Sequence, residues 1–129
     1  NENPVPMRTR IVQWPASEGV APFGIKTGLG SNYYIKLVNR GGKTVVSIFL
    51  EGGQYFDTLV PLGTYQLRYA SGKIWYGETH LFGPDTSYAR ADDLFEFSFD
   101  GYQYSGHTVE LILQSNGNLS TQRILPGDF

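Results

Sequence analysis

Apolar residues in this chain recur at every second position, in short runs, and no segment carries a helical stripe long enough to pack. Tyr65, Leu67 and Tyr69 alternate with Gln66, Arg68 and Ala70, and Phe95, Phe97 and Phe99 alternate with Glu96, Ser98 and Asp100. Side chains of a strand point to opposite faces in turn, so this period builds half-buried strands. Glycine and proline close the runs at Gly41-Gly42, Gly52-Gly53, Pro61 to Gly63, Gly83-Pro84 and Asn116-Gly117. They supply the positive φ or fixed φ that tight turns need. No helix is long enough for a parallel crossover, so the sheets should be mostly antiparallel. The pattern predicts an all-β, mostly antiparallel β-sandwich of eight or nine strands.

The expected strands are Arg8–Trp14, Asn32–Asn39, Thr44–Leu50, Tyr55–Val60, Tyr65–Ala70, Lys73–Tyr76, a run through Phe95, Phe97 and Phe99, a run through Val109, Leu111 and Leu113, and Leu119–Ile124. Residues 16–31 hold Gly19, Pro22, Gly24, Gly28 and Gly30 and read as an irregular loop, with Val20, Phe23, Ile25 and Leu29 tucked under a sheet edge. That divides the chain into an N-terminal linker, arm strand and loop over residues 1–31 and a sandwich domain over 32–129. One helical turn is expected, capped by Asp85 or Thr86 and running to Ala91. The chain opens at Asn1 rather than at a methionine, and the expectation is a longer protein on that side.

Composition removes several functions. With 129 residues the chain is large enough to fold without staples, and it has no cysteine. Disulfide frameworks, thiolate metal sites and a cysteine nucleophile are therefore excluded. The net charge is −2 and the ten basic residues are scattered, so the electrostatic footprint of a nucleic-acid binder is missing. No apolar run is long enough to span a bilayer as a helix.

The stretch Tyr33 to Tyr69 resembles the prealbumin-type β-sandwich modules, the carboxypeptidase-regulatory-like and PEGA-like domains. Tyr33-Tyr34-Ile35-Lys36-Leu37-Val38, the Gly42-Lys43 turn and the phrase Val60-Pro61-Leu62-Gly63-Thr64-Tyr65-Gln66-Leu67 carry the likeness. The resemblance implies a prealbumin- or immunoglobulin-like sandwich with Tyr65 packed at a corner and its hydroxyl on backbone. Asn32 to Phe129 also resembles an uncharacterised bacterial group, through Tyr69-Ala70-Ser71-Gly72, Trp75-Tyr76-Gly77-Glu78, Leu81-Phe82-Gly83-Pro84 and Asn116 to Leu119. That likeness implies a C-terminal accessory module of a larger, envelope-associated protein.

Catalytic patterns are weak. Glu78 and His80 share a face if extended, and with His107 they make a conceivable metal set. Asp92-Asp93, with Glu96 and Asp100 after them, read as solvated turn carboxylates rather than a glycosidase pair, and the oxygen-rich stretch Asp85 to Asp93 suits calcium better. There is no nucleophile elbow, and Gly28-x-Gly30 is too short for a phosphate loop. Neither a cofactor nor a catalytic residue is expected. The aromatic excess is the main lead. Trp75, Tyr76, Tyr88 and Tyr102, with Tyr104, fall in or beside loops, where rings anchor a partner or stack on sugar. The expected function is a non-catalytic protein-interaction or structural module presenting loops Lys73–Leu81 and Gly83–Asp93. The alternative is a carbohydrate-binding module stacking on Trp75, Tyr76 and Tyr102.

Overall fold

The computed structural model describes residues 4, 8–78, 80–103 and 121–129, together with the backbone of 107–111. Its strands are β1 (Arg10–Gln13), β2 (Ala21–Thr27), β3 (Asn32–Val38), β4 (Thr44–Leu50), β5 (Tyr55–Val60), β6 (Gly63–Gly72), β7 (Ser87–Phe97), β8 (His107–Leu111) and β9 (Thr121–Arg123). These nine described strands form two sheets. The larger has the order β1-β4-β3-β6-β7-β9 and the smaller the order β5-β2-β8. All pairs are antiparallel except β2 with β8, which is parallel. The all-β sandwich is the fold that the alternation predicts. The turn at Asn116-Gly117, with Tyr104, Leu113 and Leu119, lies outside the described residues.

The two sheets share one core. Phe23 and Ile25 of β2 and Val60 of β5 pack with Ile35 and Leu37 of β3, Ile48 of β4, Leu67 of β6 and Phe97 of β7. Phe23 and Phe97 meet edge to face across the gap, with ring centroids 5.9 Å apart. The corner phrase folds as its residues imply. Tyr65 is buried, and its hydroxyl donates to the Pro61 carbonyl at 2.7 Å. Gly63 has φ 152°, and a Cβ there would lie 3.2 Å from the Tyr65 hydroxyl, so glycine serves both the backbone and the ring.

Three expectations are corrected. Residues 21–27 are not an irregular loop. They form β2, the central strand of the small sheet, and Ala21, Phe23 and Ile25 are fully buried. Leu29 is not tucked away but 88% exposed. The expected boundary between 31 and 32 therefore falls between two strands, β2 and β3, whose side chains share the core. Second, no helical turn runs to Ala91. A single 3-10 turn spans Gly83–Asp85, and β7 begins at Ser87, paired with β6 on one side and β9 on the other. Thr86 spends its hydroxyl on that turn, accepting from Phe82 N–H at 3.1 Å and donating to the Gly83 carbonyl at 2.6 Å. Third, Lys73–Tyr76 is not a strand but the start of a crossing loop.

Phe23→Ala should cost about 3–5 kcal/mol of unfolding free energy, the usual loss for a phenylalanine taken from a packed core. Leu29→Ala should change stability by less than about 0.5 kcal/mol. Urea titration of both variants checks the assignment of β2 to the core. Equal, small effects would return residues 16–31 to a surface loop.

Candidate functional site

The loop after β6 is not presented to solvent. It folds back over the outer face of the large sheet. Tyr76 N–H donates to the Leu81 carbonyl and Leu81 N–H to the Gly77 carbonyl, each at 2.7 Å, which closes the loop on itself. Trp75 is only 5% exposed and lies 5.3 Å from the Tyr34 ring, 5.0 Å from Phe49 and 5.2 Å from Phe82. It is the centre of a second apolar cluster with Ala70 and Leu81. Gly72 makes this approach feasible, because a Cβ there would sit 2.4 Å from the Cβ of Phe82. Leu81 takes φ 53°, an uncommon conformation for a side chain of its size, and it is buried in this cluster.

The expected aromatic platform is therefore dispersed. Trp75 is core rather than an exposed stacking ring. Tyr76 is half-buried and lines a cleft of about 520 Å³ with Lys73, Phe82 and Asp85. Tyr88 is half-buried on β7, its ring 5.5 Å from that of Phe129. Tyr102 is 95% exposed, beyond the opposite end of β7. Its N–H and that of Gln103 donate to the Asp100 carboxylate at 2.9 Å each, and these backbone bonds hold the Asp100 pKa below the usual value. Tyr76 and Tyr88 line different clefts.

The conceivable chemical sets do not assemble either. Glu78 sits on the outer-face loop and accepts from the Tyr34 hydroxyl at 3.3 Å, whereas His107 belongs to β8 of the other sheet. Asp92 and Asp93 lie exposed where β7 carries two extra residues against β6, since Arg90 pairs with Arg68 and Leu94 with Gln66. Among the described residues no three His, Asp or Glu side chains gather as metal ligands.

Lys36 crosses the outer face in front of this cluster. Its ammonium stands 4.0 Å from the centre of the Phe129 ring and donates to the Phe129 carbonyl at 3.4 Å. Burial lowers its pKa first, the neighbouring Arg68 lowers it further, and Glu78 opposes both. Lys36 thus ties the C-terminal segment down over β3 through a cation–ring contact.

Two exposed features remain, and the sequence reading assigned neither. At the end of the sandwich where β3 meets β4, a cleft of about 870 Å³ opens beside Trp14, Arg40, Lys43 and Leu62. Trp14 is 71% exposed. Its place before Pro15, at the end of a strand, was the available signal, but alternation alone put it in the strand pattern. The second feature is strand β5. Tyr55 and Leu59 are each 54% exposed on its outer face, with Asp57 between them.

The described edges differ in how they are protected. β1 carries a bulge between Ile11 and Gln13 and is flanked by Arg8 and Pro15. β9 is three residues long and includes Arg123. Bulges, charges, proline and shortness are the usual means of stopping a sheet from adding strands. β5 has no bulge and is six residues long, with Asp57 as its one charge and Pro61 only after its last residue. It pairs with β2 in unbroken register from Tyr55 to Val60, and its other side carries no strand among the described residues. Thr27 N–H donates to the Gln54 carbonyl at 2.9 Å, which sets the alternation. Tyr55, Asp57 and Leu59 then direct their N–H and C=O groups away from β2.

Burial sets the pH response. Tyr33, Tyr34 and Tyr65 have pKa values raised above the ordinary one, first by burial in each case. Tyr69 adds to the rise at Tyr33, and at Tyr34 the Ser47 hydrogen bond pulls down while Glu78 pushes up. The unfolded chain releases these phenol protons near pH 10 while the folded chain still holds them. The stability they contribute is complete below that pH and is lost as pH climbs through the raised folded values. Lys36 has the opposite sign: its lowered folded pKa makes stability rise with pH up to its unfolded value. Urea midpoints should therefore fall steeply above about pH 10, and Tyr33→Phe should make the fall shallower. An unchanged slope in that variant would remove Tyr33 from the account. Against this geometry, no family model, curated protein or solved structure matches the chain.

Proposed function

We propose that the chain is a non-catalytic interaction module that takes an extended segment of a partner protein as an added strand along β5. The carrying observation is the open edge: continuous register, outward backbone groups at Tyr55 and Asp57 ahead of the point where Gly19 meets the Leu59 carbonyl, and two large apolar side chains flanking a small acidic one. Strand addition draws affinity from main-chain hydrogen bonds and specificity from alternate side chains. Tyr55 and Leu59 lie on one face, so a partner with apolar residues at alternate positions would cover both. The interaction surface is β5 rather than the loops Lys73–Leu81 and Gly83–Asp93, since the first of these is spent covering the large sheet. The likeness of Tyr33 to Tyr69 to prealbumin-type modules supports an accessory role, because such modules act as spacers and binding domains rather than as catalysts. Stacking of sugar on Trp75 is set aside, since its ring is enclosed.

A displayed library of random heptapeptides, selected on the immobilised chain, tests the proposal. Selected peptides should slow hydrogen exchange at the amides of Tyr55, Asp57 and Leu59. Asp57→Pro removes one outward N–H and leaves the β2 ladder intact, so it should weaken those peptides roughly tenfold or more. Recovery of no peptide, protection elsewhere on the chain, or undiminished binding by Asp57→Pro would each overturn it.

A further inference from the structure

We propose that the cleft beside Trp14 is a binding site for an acidic oligosaccharide, independent of the partner strand on β5. The first argument is the cost of the arrangement. Trp14 leaves 71% of its surface in water, while Trp75 in the same chain is 5% exposed. An exposed indole on a fixed backbone is what a flat sugar face stacks on. Trp14 is fixed from both sides. Gln13 before it belongs to β1 and donates from its side-chain amide to the Thr44 carbonyl at 2.9 Å, and Pro15 after it restricts the Trp14 backbone.

The second argument is the chemistry of the opposite wall. The β3–β4 hairpin brings Arg40 and Lys43 into the cleft, and neither side chain has a partner among the described residues. Their backbone is held firmly: Asn39 N–H donates to the Lys43 carbonyl at 2.9 Å, Lys43 N–H to the Asn39 side-chain oxygen at 2.9 Å, and Gly42 N–H to the Asn39 carbonyl at 3.0 Å. A guanidinium and an ammonium on a rigid turn suit a carboxylate on the ligand. Thr64 and Glu96 complete the lining with oxygen acceptors. Sugar hydroxyls both donate and accept, so they use this mixture. The volume, about 870 Å³, lies in the range of clefts that hold small ligands and leaves room for a short oligosaccharide.

Tryptophan fluorescence tests the site, since Trp14 is the accessible indole. Titration with oligogalacturonate should shift the emission, and Trp14→Ala should abolish the shift while leaving the thermal midpoint in place. Arg40→Ala combined with Lys43→Ala should weaken oligogalacturonate roughly tenfold or more. Neutral cello-oligosaccharide should bind less tightly than the acidic one and be indifferent to the double substitution. Asp57→Pro should bind oligogalacturonate as the parent does, which separates this site from the β5 edge. Equal affinity for the neutral sugar overturns the acidic specificity. Preference for oligothymidylate, or no response to any saccharide, overturns the site.

Discussion

Strand β3 is buried on both faces, and the rest of the molecule is arranged to cover it twice. Tyr33, Ile35 and Leu37 point into the space between the sheets, and Tyr34 and Val38 point the other way, yet all five are at most 5% exposed. The small sheet covers the first face. No third sheet exists among the described residues to cover the second, so the chain uses the loop after β6 and the C-terminal Phe129. This accounts for the concentration of rings there. A loop has no ladder to hold it against a sheet, and large aromatic side chains supply the most apolar contact per residue ordered. Lys36 completes the cover with its alkyl stem across β3 and its ammonium on the Phe129 ring, where burial lowers its pKa.

How far the sequence could be read follows from which interactions are local. The strands from Thr44 to Leu50 and from Tyr55 to Val60 coincide with their runs, because alternation and the glycine pairs around them are local signals. The Val60 to Tyr65 corner was legible for the same reason, with donor and acceptor only four residues apart. Strand β2 was not. Pro22 and Gly24 are breakers in any local reading, and their tolerance depends on partners distant in the chain. In the alternation that Thr27 fixes, Pro22 would aim its missing N–H away from β5, so the β2–β5 ladder loses no bond. Likewise, Ser87 to Ala91 became strand because β6 and β9 offered ladders on both sides, a tertiary preference that outweighs a capping residue.

The candidate site was misread for one physical reason. Exposure of an aromatic residue in a loop is decided by where the loop travels, and Trp75 travels onto a sheet face that needed covering. Trp14 was placed in the strand pattern by alternation, yet β1 ends at Gln13 and Pro15 follows, so its ring projects from the strand end rather than from either sheet face. Edge status was equally hidden. Tyr55 to Val60 reads as an ordinary strand, and only the sheet order shows that one of its sides is open.

The open edge and the Trp14 cleft are separate surfaces built on one piece of backbone. The β1–β2 loop that starts at Trp14 reaches β5 at Gly19, where a Cβ would fall 2.1 Å from the Leu59 carbonyl oxygen, and Val20 N–H donates to the Val60 carbonyl at 3.0 Å. Directly after Val60, Pro61 and Leu62 form a wall of the cleft and lead through Gly63 into β6. Leu59 therefore faces the edge while Leu62, three residues on, faces the cleft. The Tyr65 hydroxyl clamps the corner between them through the Pro61 carbonyl. A rigid corner keeps each surface in its bound shape before a ligand arrives, which lowers the ordering cost of association at both. It also leaves little play through which occupancy of one surface would alter the other. On the two proposed readings, ligands of different chemistry would occupy separate surfaces joined by one clamped corner, the arrangement of a passive module rather than of a switch.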